Sequence, residues 1–254
     1  MKINSVQLVL FVLALLLVLL PGCKTARFTA AVTRAPGSYS FEIPAAHVKD
    51  STDADLTRVM FEGYDEDSKA GGGLSFEIIN ADDDLFVDDN NGIPMESDLS
   101  DFFGYGLIMV GEDDETFRMP FRYGLYYNNY NLEDTVGEIA WSTIGPRFSL
   151  EPTVSFPIAE DMEISIFVEG NAAAGYTTLD IDVMGSSGSE SSYSYSLGAE
   201  TGVKFAFHDF FAGLSYIYRL TNVAESTIDV NSTFLVRETE VGFTGVALTL
   251  GARF

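Results

Sequence analysis

The chain has 254 residues, of which 46% are hydrophobic and 13% aromatic, values that suit one large β-rich domain or two small ones. Its formal charge is −24 with only 14 Lys and Arg, which argues against nucleic-acid binding because phosphate contacts need a basic surface. A single cysteine excludes an intramolecular disulfide and a cysteine-ligated metal cluster, and we expect neither a metal nor any other cofactor.

The first 22 residues have the features of an export signal. The apolar run from Leu8 to Leu20 has the length of a secretory core and is shorter than the roughly 20 residues of a membrane-spanning helix. Leu20-Pro-Gly-Cys23 resembles the bacterial lipobox, in which a small residue precedes a cysteine that is lipidated, although Pro21 departs from the usual pattern. This resemblance implies a lipoprotein-type signal peptide over 1–22 with Cys23 as the lipidation site. An ordinary signal peptide cut nearby and an uncleaved anchor are the alternatives.

Residues 23–69 are predicted to form a flexible, acidic periplasmic spacer. They mix Asp, Ser, Thr, Ala and Pro with little sustained periodicity, and the charged stretches 50–55 and 65–67 favour a solvated chain. Only Tyr39-Ser-Phe-Glu-Ile43 alternates, which indicates a short isolated strand. The three glycines 71–73 that follow indicate a hinge, since no Lys-Ser or Lys-Thr pair completes a phosphate-binding loop.

From residue 74 onward, apolar residues alternate with small or polar ones. The segment Tyr193–Phe207 is typical, because its odd positions are mostly apolar and its even positions include Glu200 and Lys204. Long and short connections also alternate, as in outer-membrane barrels. The pattern therefore predicts an all-β fold, an eight-stranded antiparallel up-and-down transmembrane β-barrel over 70–254. The predicted strands are 73–80, 102–110, 117–128, 140–156, 161–176, 192–207, 210–220 and 238–254, and the long connections are 81–101, 129–139, 177–191 and 221–237.

Charges on the polar face of these strands are nearly balanced, although the whole chain is strongly acidic. This indicates mutual pairing inside a narrow lumen, because an unpaired ion would be costly there. The opposite face is aliphatic and aromatic, as contact with lipid requires. The polar face carries Glu77, Arg122, Arg147, Glu151, Glu163, Glu169, Glu200, Lys204, Arg219 and Arg253. We expect a lumen ion network of Glu77, Arg122, Arg147, Glu151, Glu169, Glu200 and Lys204, with Arg147 near Glu169, and Glu169 near Glu200 and Lys204.

Aromatic residues on the apolar face favour the ends of the strands, which predicts two interfacial girdles. General β-propensity is the alternative explanation for them. The outer girdle would contain Tyr123, Tyr127, Tyr176, Tyr193, Tyr195, Tyr216 and Tyr218, and the periplasmic girdle Phe121, Phe156, Phe205, Phe207, Phe210 and Phe254.

The last strand resembles the terminal signature that outer-membrane barrels present to their assembly machinery. The apolar residues Val246, Leu248 and Leu250 alternate toward Phe254, whereas Ala252 stands where an aromatic residue is usual. Region 70–254 as a whole is similar to the small eight-stranded OmpA/OmpX-type barrels. The resemblance implies an outer-membrane location, a mostly non-enzymatic role, and outer-membrane lipid and the barrel assembly machinery as partners. A ligand of the outside loops stays unidentified.

Residues for catalysis or metal binding are sparse. His208 lies beside Asp209 in a tight turn and His47 lies in the spacer, and neither has a recognisable partner motif, so we expect no enzyme and no catalytic residue. The acidic stretches 82–84 and 88–91 could offer oxygen ligands to calcium, but their spacing does not fit an EF-hand and favours a solvated loop.

Three functions fit this pattern. The first is a structural or surface-interaction barrel of the outer membrane with a plugged lumen. The second is a small pore, although side chains largely fill an eight-stranded barrel. The third is a lipid-tethered, soluble, lipocalin-like binder, which would need its aliphatic face inward around a ligand.

Overall fold

The structure is all-β. It is a computed structural model that describes residues 26–44, 48–81, 96–110, 116–133, 137–183, 186–230, 232–236 and 238–254. The signal segment 1–22, Cys23, His47 and the acidic stretches 82–84 and 88–91 lie outside the described residues. The strands are β1 (Ala26–Ile43), β2 (Val48–Asp65), β3 (Ala70–Ala81), β4 (Glu96–Met109), β5 (Phe117–Arg118), β6 (Pro120–Glu133), β7 (Gly137–Leu150), β8 (Thr153–Ala159), β9 (Met162–Val183), β10 (Ser186–Phe207), β11 (Phe210–Val223), β12 (Ser226–Val230), β13 (Ser232–Val236) and β14 (Thr239–Arg253).

Ten of these strands form a closed antiparallel barrel. Each pairs with its neighbours in the order β1-β2-β3-β4-β6-β7-β9-β10-β11-β14, and β14 pairs with β1 to close the sheet. The short β5 and β8 extend the sheet beside β9, and β12 and β13 form a separate hairpin. The predicted closed antiparallel barrel is thus confirmed, but the predicted number of eight strands is wrong.

The two extra strands come from the region that the sequence predicts to be a spacer. Residues 26–43 pair one by one with residues 65–48, and β1 also pairs with β14. The expectation of a spacer over 23–69, with the barrel starting at 70, is therefore wrong for these residues. The spacer prediction fails because the apolar face changes from the outer to the inner side within each of β1 and β2. Val32 points outward on β1 in the half near its start, whereas Tyr39 and Phe41 point inward in the other half, so no single face is apolar throughout.

All four predicted long connections contain strand residues, since β4 already starts at Glu96 and β12 and β13 lie within 221–237. Strand β6 continues to Glu133 and β7 starts at Gly137, while β9 runs to Val183 and β10 starts at Ser186. The predicted strand 140–156 is interrupted between β7 and β8, at Pro152, which cannot donate a backbone hydrogen bond to a ladder.

The barrel has two distinct ends. At the turn end lie the start of β1, the last residues of β14 and the connections that include 66–69 and 208–209. The loop end carries the last residues of β3, the first residues of β4 and the β12–β13 hairpin. His208 has a φ of 52°, the left-handed conformation that tight hairpin turns use.

Strand tilt follows from the pairing register. A row of paired residues that starts at Thr178 on β9 passes once around the barrel and returns to β9 at Ile166, 12 residues nearer the turn end. With a rise of about 3.3 Å per residue and about 4.8 Å between strands, this shift gives a tilt of about 40° and a backbone radius of about 10 Å. Side chains can fill a lumen of that width.

Candidate functional site: the filled lumen

Between its middle and its turn end, the barrel has charged residues on its inner face and mainly apolar residues on its outer face. Glu200 is 7% exposed on the inner face of β10, whereas Val203, three residues farther along the same strand, is 45% exposed on the outer face. Ile166 on β9 is 50% exposed and likewise faces outward. From the loop end to the turn end, the lumen contains an apolar cluster, two ion clusters and a cavity.

The apolar cluster fills the loop end of the lumen. Its members are almost fully buried, and Tyr39 and Phe41 of β1 stack with Tyr130 of β6, while Tyr130 also packs against Trp141 of β7. Ser97 donates a hydrogen bond of 3.1 Å to the hydroxyl of Tyr39. The other large members are Leu56, Ile79, Leu99, Leu132, Leu179, Ile217, Val241 and Phe243. These side chains block the lumen at this level.

The central ion cluster lies below the apolar cluster and contains three arginines and three acids. Arg147 donates to Asp101 Oδ2 at 2.8 Å, and Arg219 donates to the same oxygen at 3.4 Å and to Glu77. Arg58 donates to Glu77 at 2.9 Å and to Glu200 at 2.7 Å. The six charges form one continuous chain of ion pairs across the lumen, and Ser215 donates to its last member, Glu200, at 2.7 Å.

The turn-side ion cluster contains Glu62, Arg122, Glu151 and Lys204. Arg122 bridges two acids, with Nε 2.8 Å from Glu62 and Nη1 3.0 Å from Glu151. Lys204 Nζ donates to Glu151 at 2.6 Å and lies 4.1 Å from the centre of the Phe167 ring. Tyr105 donates its hydroxyl hydrogen to Glu62 at 3.2 Å. Together the two clusters hold five cations and five paired acids, so their charges balance.

All seven residues of the expected network lie inside the barrel, but several expected pairs do not form. Arg147 contacts Asp101 rather than Glu169, and Lys204 contacts Glu151. Glu169 lies directly opposite Glu200 in the register of β9 and β10. It makes no ion pair or side-chain hydrogen bond with any residue that the structure describes, and it lines the cavity at the turn end.

Three further members of the clusters were missed by sequence reasoning. Arg58 and Glu62 lie on β2 within the expected spacer, and Asp101 lies within an expected loop. The even spacing of Arg58, Met60 and Glu62 was the available signal, since residues two apart on a strand share one face.

A cavity of about 230 Å³ occupies the turn end of the lumen. Its inner part is lined by the turn-side ion cluster and Glu169, and its outer part by Arg27, Glu66 and Arg253. Glu163, also predicted to face inward, lies in this wall and accepts hydrogen bonds from Ser155 and Ser165. Because ion clusters and apolar residues fill the lumen beyond it, the cavity ends inside the barrel.

The outer surface carries the expected girdle residues. The seven tyrosines are exposed on the outer face, as are Phe156, Phe205, Phe207, Phe210 and Phe254, while Phe121 is half-buried. Tyr123 lies far from the loop end, since its register partner across β4 is Gly106. On β14, Val246, Leu248 and Leu250 all point outward, and Phe254 lies at the turn end, where its backbone pairs with Phe28 of β1.

The described residues offer little for other chemistry. His208 lies 3.5 Å from Asp161 at the turn end, and both side chains are exposed. Within the described ranges, no three His, Cys, Asp or Glu side chains are grouped so as to hold a metal ion. No helix in the described part of the chain has the length and hydropathy to cross a membrane.

Comparison with known proteins finds similarity of structure and not of sequence. No protein-family model matches the chain, and no curated protein matches it by sequence. Among solved structures it is similar to the outer membrane protease OmpT from Escherichia coli, with 9% identity, a TM-score of 0.47 and coverage of 92% of this chain and 98% of that one. It is also similar to Ail, the attachment invasion locus protein of Yersinia pestis, with 18% identity, a TM-score of 0.32 and coverage of 89% and 98%. The Pseudomonas putida toluene transporter TodX matches with 8% identity, a TM-score of 0.35 and coverage of 91% and 90%. At these identities no residue role passes from those proteins to this chain.

Proposed function

We propose that the chain is a bacterial outer-membrane β-barrel with a structural or surface-interaction role and with a lumen closed to solutes. The observation that carries the proposal is the polarity of the barrel between the apolar cluster and the turn end, where ion pairs face inward and mainly aliphatic and aromatic side chains face outward. A closed barrel satisfies its backbone hydrogen bonds within itself, which hydrocarbon requires. With ten strands the ends of β1 and β14 lie at the same end of the barrel, which we assign to the periplasm.

The described geometry argues against a lipocalin-like binder. Such a protein would turn Leu197 and Leu214 inward around a ligand, but both lie exposed on the outer face. The inner face near them carries Glu200 and Ser215 instead, which hydrogen bond to each other.

The cavity at the turn end is the one observation that favours a pore. It extends from the turn end to the level of Glu169, but the central ion cluster and the apolar cluster lie between that level and the loop end. A conducting path would need both clusters to rearrange, so the closed barrel is the better supported function.

Cysteine labelling tests which face meets lipid. Cys23, the only native cysteine, is first replaced by serine, and Leu214→Cys, Ser215→Cys and Lys49→Cys are made separately in that background. After reconstitution into phosphatidylcholine vesicles, a lipid-soluble maleimide should label Leu214→Cys, and a bulky water-soluble maleimide should not. The rim variant Lys49→Cys should react with the water-soluble reagent, and the buried Ser215→Cys with neither. Equal reaction of Leu214→Cys and Lys49→Cys with the water-soluble reagent would exclude a membrane-embedded barrel.

A further inference from the structure

The cavity at the turn end of the lumen is lined by one acid and one base that lack ion-pair partners. The two ion clusters are balanced in charge, and Glu169 adds one further carboxylate to the inner end of the cavity. Arg253 lines the mouth, and its guanidinium carbon lies 5.7 Å from the centre of the Phe211 ring. Within the part of the chain that the structure describes, neither Glu169 nor Arg253 forms an ion pair or a side-chain hydrogen bond.

The two charges lie at opposite ends of the cavity. A row of paired residues leads from Glu169 across β10 and β11 to Gly245 on β14, and Arg253 lies eight residues farther toward the turn end. At a strand tilt of about 40°, the Cα atom of Arg253 lies about 11 Å nearer the turn end than that of Glu169, on nearly the opposite wall. Inward side chains that reach about 4 Å and about 6 Å leave about 15 Å between carboxylate and guanidinium.

Apolar side chains line the cavity between these two charges. Leu107, Phe167 and Met109 lie about 4, 5 and 9 Å nearer the turn end than Glu169, and all three stop short of the level of Arg253. Such side chains favour methylene groups, because burial of apolar area is favourable. The charged groups of the turn-side ion cluster at the same levels already pair with one another.

From this arrangement we propose that the turn-end cavity binds a small ω-amino acid, a zwitterion whose ammonium and carboxylate are separated by about seven methylene groups. Its ammonium donates hydrogen bonds to Glu169 at the inner end, and its carboxylate accepts them from Arg253 at the mouth. Extended 8-aminooctanoate measures about 10 Å from nitrogen to carboxylate carbon, and a hydrogen bond of about 2.8 Å at each end brings its span to about 16 Å.

Other occupants fit this cavity less well. A simple amine would leave Arg253 unpaired and a simple carboxylate would leave Glu169 unpaired, whereas a zwitterion pairs with both and adds no net charge. A metal ion lacks ligands, since no three His, Cys, Asp or Glu side chains are grouped for one within the described ranges. The site goes beyond the proposed function, and only the assignment of its mouth to the periplasm rests on that function.

Isothermal titration calorimetry of the full chain in detergent micelles at neutral pH tests the site, with 8-aminooctanoate as the probe. We expect saturable binding of this probe. N-Acetyl-8-aminooctanoate lacks the ammonium and 8-aminooctanamide lacks the carboxylate, and each should bind about tenfold more weakly. 4-Aminobutanoate is too short to reach both groups and should bind as weakly. These four titrations need no altered protein.

Two variants identify the partners of the ligand. Glu169→Gln should weaken binding of 8-aminooctanoate about tenfold, with no further loss when the ligand is acetylated. Arg253→Gln should weaken it about tenfold, with no further loss when the ligand is amidated. The matched controls are Asp161→Asn, an exposed carboxylate at the same end, and Arg34→Gln, an exposed arginine on the outer face, and both should bind like the parent. Gel mobility that changes on boiling verifies that each variant is folded.

Three outcomes would overturn the ligand site. No measurable binding to the parent at about 10 mM probe would reject it and leave a proton as the group that neutralises Glu169. Equal affinity for all four ligands would indicate nonspecific partition. Losses that simply add when a variant meets its matching analogue would show that Glu169 and Arg253 do not contact the ligand. In each case the proposed membrane barrel stands, because the labelling of Leu214→Cys tests it separately.

Discussion

Arg147 on β7 reaches across the lumen to Asp101 on β4, 2.8 Å away, although β6 lies between these two strands. Asp101 also accepts from Arg219 of β11, so one carboxylate joins three strands that are not neighbours. The ion clusters therefore tie opposite walls of the barrel together.

Removal of Arg147 should destabilise the barrel. Arg147→Leu leaves Asp101 with only its longer contact to Arg219, and the loss of one partner from a buried pair typically costs about 3–5 kcal/mol. The matched change Arg27→Leu breaks an exposed pair with Glu66 and should cost less than about 1 kcal/mol. Both losses in the free energy of unfolding can be measured by urea titration, with the fluorescence of the single tryptophan, the buried Trp141, as the signal. Equal midpoints for parent and Arg147→Leu would contradict the role of the clusters in stability.

The seam between the first and last strands can be trapped covalently. The hydroxyl oxygens of Thr33 and Thr249 lie 2.8 Å apart on the inner face, so cysteines at both positions should form a disulfide in a Cys23→Ser background. Thr33→Cys with Leu248→Cys is the control, because Leu248 points to the opposite face of the sheet. The disulfide should change the gel mobility of the unfolded chain under non-reducing conditions. Absence of a bond in the first variant would argue that residues 26–43 do not close the barrel.

The backbones of β7 and β9 come so close together at Gly145 that no side chain fits there. A Cβ atom at Gly145 would lie 2.1 Å from the carbonyl oxygen of Ala174, whereas a Cβ at Gly170 would meet no atom within 4 Å. Gly145→Ala should lower the free energy of unfolding by about 1–3 kcal/mol because the strands must move apart. Gly170→Ala should leave it unchanged or raise it by up to about 1 kcal/mol. The same urea titration compares the free energies of unfolding of the two variants. Equal values would show that the backbones of β7 and β9 are not in close contact at Gly145.

The parent barrel should conduct little current in a planar bilayer. The apolar and ion clusters fill the lumen between the turn-end cavity and the loop end, and no wide path crosses them in the described structure. We expect traces that match protein-free membranes at neutral pH, with insertion verified by gel mobility that changes on boiling. Large and reproducible conductance steps would require the lumen to open and would favour the pore.

Strands with one consistently apolar face could be predicted from the sequence. On β9, β10, β11 and β14 most outward positions nearer the turn end are aliphatic or aromatic and most inward positions there are small or charged, so the period of two is clear along much of each strand. On β1 and β2 the inward face is apolar only near the loop end, where Tyr39 and Leu56 join the apolar cluster. This change of apolar face hides the alternation of polar and apolar residues along β1 and β2. Pro36 and Gly37 in the middle of β1 also make the sequence look like two separate segments.

Placement of the charged residues inside the barrel could be predicted, but their partners could not. The order of the strands along the chain predicts pairs between neighbouring strands, as for Glu169 and Glu200, which do lie opposite each other. Most of the observed ion pairs in the lumen instead join strands that are not neighbours, as the pair of Arg58 on β2 with Glu200 on β10 does, whereas Arg58 and Glu77 are register partners on adjacent strands. Such contacts depend on the tilt of the strands and on the barrel radius, which in turn depend on the two strands that the pattern conceals.

Closure by β1 and β14 also has a consequence for biosynthesis. Thr33 and Thr249 are separated by 216 residues of chain, so the seam cannot form until translation is almost finished. Until then both edge strands carry unpaired backbone groups, the condition under which polypeptides aggregate through their edges. The topology therefore leaves one edge of β1 unpaired for longer than any other strand edge of the barrel.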